Sequence, residues 1–340
     1  MNFSLCNNSV VFLLGAGFSV DAASEADNPM APGHAARYPL VSELRDVCFG
    51  LDTLLPDKSI EDLFQESIDR GEHRPLDILY DILMEADYYI TPRLRRDGTN
   101  ADNAYLHFLR DFPKTALITF NYDSLPEILL LSERSWRPED GYGVPVQAEL
   151  RPVRDESLVV ERSLRPVLHL HGSLCIYTAT FLIDSLPSSK LDMLRLKDVP
   201  DFLFDPDTLR HWFHPFERVA PGVTYTHVGD RVIAPVPDKA QGLKGAFIGS
   251  VCRRAVNLVR GASQIVAIGY SFNPNDRASY TRLLAPAAAR RILVVAPDAS
   301  SLVKRLRRDH PDIQWEGESL SFAEWVHDRY PGIHSDECFV

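Results

Sequence analysis

Ala116-Leu117-Ile118-Thr119-Phe120-Asn121-Tyr122-Asp123 decides how this chain is read. An apolar, strand-shaped run stops abruptly at Asn and Asp, and Ser124-Leu125-Pro126-Glu127 follows. Ser124 and Glu127 have capping-box spacing, and proline is tolerated in a first helical turn. The segment therefore predicts a buried strand that hands over to a helix, with Asn121 and Asp123 at the junction. In open α/β sheets ligands bind at that edge.

The same strand-to-turn arrangement recurs on both sides. Val10-Val11-Phe12-Leu13-Leu14 reads as a buried strand and runs into Gly15-Ala16-Gly17-Phe18-Ser19. A strand over Pro166 to Leu170 leads into His171-Gly172-Ser173, and one over Gln264 to Ile268 leads into Gly269-Tyr270-Ser271-Phe272. A further strand, Ile292 to Ala296, precedes Asp298 and a helix over Ser301 to Arg308. Helices are expected over Leu125 to Leu131 and Phe247 to Val259, and Ser321 with Glu324 forms a second capping box before Trp325. Strands alternating with helices predict an α/β fold, a Rossmann-like and mostly parallel sheet.

Two stretches interrupt that alternation. From Leu40 to Phe112 the apolar spacing is helical (Leu40, Leu44, Val47; Ile60, Leu63, Phe64, Ile68), which predicts a helical insertion over 40–112. Residues 178–228 hold Phe202, Phe204, Trp212, Phe213, Phe216 and Tyr225, too aromatic for a disordered linker, and are expected to form a second, smaller inserted module. The core is then 1–39, 113–177 and 229–330.

Composition narrows the function classes. A chain of 340 residues, 45% hydrophobic and 24% charged, can bury a sizeable core. With 36 basic against 47 acidic residues the formal charge is -11, which disfavours broad nucleic-acid binding. The five cysteines, Cys6, Cys48, Cys175, Cys252 and Cys338, form no C-x-x-C pair and are odd in number, so a reducing compartment is the simpler reading. The apolar run at Val10 to Leu14 is too short for a signal core or a membrane span, so a cytoplasmic protein is expected.

The strand-end residues carry chemistry. Gly15 and Gly17 after a strand allow close backbone approach to a phosphate, or form an ordinary turn; the dinucleotide fingerprint asks for Gly or Ala at position 20, where this chain has Val20. Asn121 and Asp123 can hold ribose hydroxyls or a water, or cap the next helix. His171, at a strand end, is placed to act as a base; its alternative is a loop hydrogen bond. His169 lies two residues earlier on the same expected side and reads as a satisfied core histidine. Ser271 suits phosphate or ribose, or a turn. Asp276 reads as a helix cap, and Asp298 is placed to bind an adenosine ribose or is simple turn chemistry. Lys304, Arg305, Arg307 and Arg308 read as favourable charge at a helix C-terminus.

In chain order, Gly15-Ala16-Gly17-Phe18-Ser19, Thr119-Phe120-Asn121-Tyr122-Asp123, His171-Gly172 and Gly269-Tyr270-Ser271 resemble the motifs of the sirtuin superfamily, closest to the bacterial sirtuin-like branch found in anti-phage defence. The resemblance implies a Rossmann-like NAD-binding domain with inserted modules. It assigns Gly15, Ala16, Gly17 and Ser19 to the cofactor phosphates and Gly269 and Ser271 to the distal half. Asn121 and Asp123 then lie beside the nicotinamide ribose, and His171 is the catalytic base. Deacylating sirtuins usually carry two zinc-binding C-x-x-C pairs and a Pro-Asp-Phe-Arg segment. This chain has neither pair, and Tyr38-Pro39-Leu40 is the remote counterpart of the segment. No zinc is expected.

The expectation is an NAD+ hydrolase that cleaves the nicotinamide–ribose bond, an anti-phage effector that depletes NAD. The alternatives are an NAD-dependent protein deacylase and a non-catalytic sensor of NAD or ADP-ribose. An enzyme that consumes NAD needs restraint, so a homo-oligomer and an activating partner protein are expected, with no direct role for nucleic acid or membrane.

Overall fold

The computed structural model describes residues 10–24, 41–50, 58–72, 74–79, 81–83, 86, 104–132, 135–144, 162–173, 176–183, 201–202, 204–205, 210–211, 223–229, 246–287 and 291–329. Residues 25–40, which include Tyr38-Pro39-Leu40, and the side chains of the 178–228 segment lie outside the described residues.

Six strands form the main sheet: β1 (Val10–Leu14), β2 (Ala116–Thr119), β3 (Val167–His169), β4 (Gln264–Ile268), β5 (Arg291–Val295) and β6 (Gln314–Glu318). All neighbouring pairs are parallel, and the order across the sheet is β6-β5-β4-β1-β2-β3. This is the doubly wound dinucleotide-binding order. The chain builds outward from β1 in one direction through β2 and β3 and in the other through β4 to β6. The reversal therefore falls between β1 and β4. In register, Leu14 lies between Thr119 and Ile268, so both flanking strands end level with β1.

The apolar composition of the strands follows from burial on both faces. Val10, Phe12 and Leu14 pack into one core layer with Phe108, Phe112, Leu129 and Trp325. Val11 and Leu13 pack into the other with Val251, Val259, Leu283 and Leu306. Helices α4 (Ala104–Asp111), α5 (Leu125–Ser132) and α9 (Phe322–Arg329) supply the first layer. Helices α6 (Ala246–Gly261), α7 (Arg277–Leu284) and α8 (Ala299–Asp309) supply the second. Helix α1 (Ala16–Ser24) begins directly after Gly15.

Between β1 and β2 the described chain is helical, with α2 (Val41–Phe49), α3 (Ile60–Asp69) and shorter turns at 74–79 and 81–83. Strands Ile176–Ile183 and Val223–Gly229 pair antiparallel.

The two capping boxes read from the sequence fare differently. Ser321 N–H donates to Glu324 Oε2 (2.7 Å) and Glu324 N–H to Ser321 Oγ (3.2 Å), as expected. Ser321→Ala should cost about 1 kcal/mol, read as a lower denaturation midpoint with an unchanged slope. At Ser124 and Glu127 the box is overridden. Glu127 directs its carboxylate at Tyr142 and His169 instead, and Asp123 Oδ1 accepts from Leu125 N–H (3.2 Å). Glu127 is fully buried, and Tyr142 and His169 beside its Oε1 offset the cost of burying it.

Candidate active site

Because every strand of the sheet is parallel, the exits of β1 to β5 share one edge. The loops at the reversal point are locked to each other. Gly15 N–H donates to Ile268 O (2.9 Å) and Gly17 N–H to Gly269 O (3.0 Å). A Cβ on Gly17 would sit 2.8 Å from Gly269 Cα, and one on Gly15 2.5 Å from Gly269 O. Gly269 itself has φ +58. These glycines therefore permit backbone-to-backbone contact at the crevice. The Gly17 N–H, a candidate phosphate donor in the sequence, is directed to Gly269.

Ser19, buried in α1, accepts from Asn121 Nδ2 (2.9 Å) and donates to Asp123 Oδ2 (2.8 Å). Asn121 N–H donates to Thr119 Oγ1 (3.0 Å), and its carbonyl lies 3.0 Å from His169 Nδ1. The β1 and β2 exits are thus joined by one hydrogen-bonded chain. Asp123 is buried, caps α5 through Oδ1 and holds Ser19 through Oδ2.

His171 is buried against the same loop. Its ring meets Phe120 edge-on at 5.0 Å between centroids and Tyr122 at 6.3 Å, the two neighbours of Asn121. Phe120 in turn stacks on Tyr270 (4.5 Å, interplanar angle 3°), tying the β2 exit to the β4 exit. Asp276 Oδ1 lies 3.8 Å from His171 Nε2.

The expectation that His169 and His171 face one side does not hold. Strand pairing ends at His169, and the chain turns through Leu170 to Gly172, which has φ +85. His169 goes to Glu127 (Nε2 to Oε1 2.7 Å) and sits near Tyr142, while His171 goes to Phe120, Tyr122 and Asp276. Burial disfavours a charge on His169, but the Glu127 carboxylate, the Asn121 carbonyl and Asp123 outweigh it, and its pKa lies above the ordinary value.

Asp276 is the residue that local sequence rules misplace. It occupies the N-cap position of α7, yet its side chain makes no cap hydrogen bond. It is buried and faces His171 and the Tyr270 hydroxyl. Burial, then Asp276, pushes the Tyr270 phenol well above its ordinary range, so this hydroxyl stays protonated.

Ser271 is exposed beside Phe272, whose φ of +49 is in the left-handed region uncommon for a side chain of that size. Arg305 holds this turn by donating to the carbonyls of Ser271 (2.7 Å) and Phe272 (2.9 Å). Arg305 thus acts as a brace rather than as helix-end charge, while Arg307 donates to Trp315 O (2.6 Å). Asn273 Nδ2 donates to Glu61 Oε1 (2.8 Å) of α3, and Tyr122 packs on the apolar cluster of the α2–α3 region. The helices between β1 and β2 therefore touch both the Ser271 and the Asn121 loops.

Ala16 is exposed at the start of α1. Asp298, at the N-cap of α8, is exposed and makes no side-chain cap bond. Burial pushes the Cys48 and Cys252 thiols up to about 11, so neither supplies a thiolate at neutral pH. Among the described residues, no three His, Cys, Asp or Glu side chains group as metal ligands, and no helix is long and apolar enough to cross a membrane.

No family model matches this chain, and no curated protein matches it significantly. Among solved structures it is similar to a mutant Sir2 homologue complexed with ADP-ribose, at 15% identity over 98% of this chain and 94% of that one, with a TM-score of 0.38. It is also similar to Sir2 with a p53 peptide and NAD+, at 12% identity over 96% and 95%, with a TM-score of 0.38. Neither likeness is close enough to assign a role to any residue of this chain.

Proposed function

We propose that this protein hydrolyses NAD+ at the nicotinamide–ribose bond and serves as an anti-phage effector by depleting NAD. The observation that carries the reading is the joining of the Ser19–Asn121–Asp123 chain to His171 through Phe120 and Tyr122, at the carboxyl edge of a sheet with dinucleotide-binding order. The four motifs in sirtuin order, which include these residues, point to the same reading.

Cleavage passes through an oxocarbenium-like state, as in glycoside hydrolysis. Asn121, with both backbone polar groups engaged, presents a fixed amide to the nicotinamide ribose or to the attacking water. Asp123 holds that arrangement through Ser19. His171 takes the proton from water or a ribose hydroxyl, a task suited to an imidazole. The Asp276 carboxylate steadies the charge that His171 gains. Gly15, Ala16, Gly17 and Gly269 line the pyrophosphate, with Ser271 and Asp298 toward the adenosine half.

The Asp276 role gives a sharp expectation. Asp276→Asn should lower kcat about 10- to 100-fold while leaving the melting temperature close to wild type, because no cap bond is lost. A residue that only caps α7 would do the reverse, destabilising by about 1 kcal/mol with kcat intact.

Peptide dependence tests the reading against deacylation. Loss of NAD that proceeds equally with and without an acylated peptide supports the hydrolase. Loss that requires the peptide and yields O-acyl-ADP-ribose would establish the deacylase.

A further inference from the structure

Below the Asn121 loop lies a buried histidine–glutamate pair that the mechanism above does not use. His169 is the last residue of β3 and is paired in register with Thr119, two residues before Asn121. Both of its ring nitrogens face acceptors. Nδ1 is 3.0 Å from the carbonyl of Asn121, and Nε2 is 2.7 Å from Glu127 Oε1. A carbonyl only accepts, so Nδ1 carries a proton. The same Oε1 accepts from the Tyr142 hydroxyl (3.0 Å), and a Glu127 carboxylate at ion-pair distance from Nε2 favours a second proton on the ring.

We infer that His169 is a positioning residue, held as an imidazolium beside Glu127, whose Nδ1–H contact to the Asn121 carbonyl sets the angle at which the Asn121 amide meets the ribose. The inference rests on the proposed reading of the site.

Stability alone does not explain such a pair. Side chains of His169 and Glu127 are 1% and 0% exposed. Replacing a buried ion pair with apolar side chains is often neutral or stabilising. What His169 supplies is orientation, through its Nδ1 contact to the Asn121 carbonyl. Regular strand structure ends at Thr119, so Asn121 and Tyr122 lack ladder geometry of their own. Thr119 Oγ1 takes the Asn121 N–H and His169 takes its carbonyl, fixing the peptide planes on either side. The side chain can then reach Ser19 Oγ at 2.9 Å. The charged and titratable groups facing His169 are Glu127 and Tyr142 from one side and Asp123 from the β2 exit, two of them carboxylates that favour its proton.

Two side chains separate the two contacts. Asn places its amide nitrogen where histidine has Nδ1 and so keeps the donor to the Asn121 carbonyl. Gln reaches toward the Nε2 position and keeps only the Glu127 side. Both are made in the full-length protein together with Glu127→Gln, so that no lone carboxylate remains buried. His169→Asn is expected to keep kcat within about threefold of the Glu127→Gln parent, and His169→Gln to lower kcat by about 10- to 100-fold with KM little changed, the scale of a misplaced catalytic group. Equal kcat losses in the two variants, or losses that simply follow their melting temperatures, would overturn the positioning role. Nitrogen-15 NMR of wild type at pH 7.5 should find both His169 ring nitrogens protonated; one unprotonated nitrogen would overturn the imidazolium. The NMR result needs no turnover. A wild-type protein that leaves NAD intact would therefore sink the functional reading while the protonation state is still decided.

Discussion

His171→Ala and Asn121→Ala are each expected to lower NAD turnover by about 100-fold or more, with the fold retained. The two losses have different origins. His171 is the base, so its removal leaves the attacking oxygen to water alone. General acid–base groups contribute about 10²–10⁴ in rate, and that range sets the size of the effect. Asn121 takes no proton; its loss frees the ribose or the water to sample unproductive positions, and kcat falls through orientation. Ser19 loses a donor in Asn121→Ala, a bond worth about 1 kcal/mol, which is small against a domain stability of about 5–15 kcal/mol. Matching far-ultraviolet spectra and melting curves keep the comparison fair. Unchanged turnover in both variants would remove this edge of the sheet as the site.

Gly269→Ala carries the largest expected cost to stability. At φ +58 an alanine is strained by about 1–2 kcal/mol, and its Cβ would lie 2.6 Å from the Gly17 carbonyl carbon. The obstruction is backbone, not the end of a flexible side chain, so relief requires the two loops to separate. Overpacking adds about 1–3 kcal/mol, giving about 2–5 kcal/mol in all. Urea unfolding should move to a clearly lower midpoint, and NAD turnover should fall as well, because the crevice between β1 and β4 is what opens. Gly261→Ala is the control. Its Cβ meets nothing within 4 Å, and it ends α6, so it should unfold within about 1 kcal/mol of wild type on the stabilising side. A Gly269→Ala protein as stable as wild type would mean that the glycines do not lock the crevice.

Much of this architecture is legible in the chain because buried parallel strands are near-continuous apolar runs. Val10–Leu14, Ala116–Thr119 and Gln264–Ile268 read as strands for that reason and are strands. Gln314–Glu318 does not read as one. It is an edge strand of sequence QWEGE with Trp315 as its one deeply buried side chain, and its pairing is set by β5 and by the Arg291–Glu316 ion pair across the edge. The site divides in the same way. Strand-end residues such as Asn121 and His171 are marked by where the apolar run stops. Asp276, Arg305 and Glu127 are not, because each obeys a local helix rule in sequence and is then redirected by a distant partner. Asp276 turns to His171, Arg305 to the Ser271 turn and Glu127 to His169. Local capping is worth about 1 kcal/mol, less than leaving a buried charge without a partner, so the long-range contact prevails.

Chromatography of NAD incubated with the purified full-length protein tests the central claim most directly. Nicotinamide and ADP-ribose should appear in equal amounts as NAD disappears, with no acylated peptide present. NAD that remains intact and fails to bind in a titration would contradict the account.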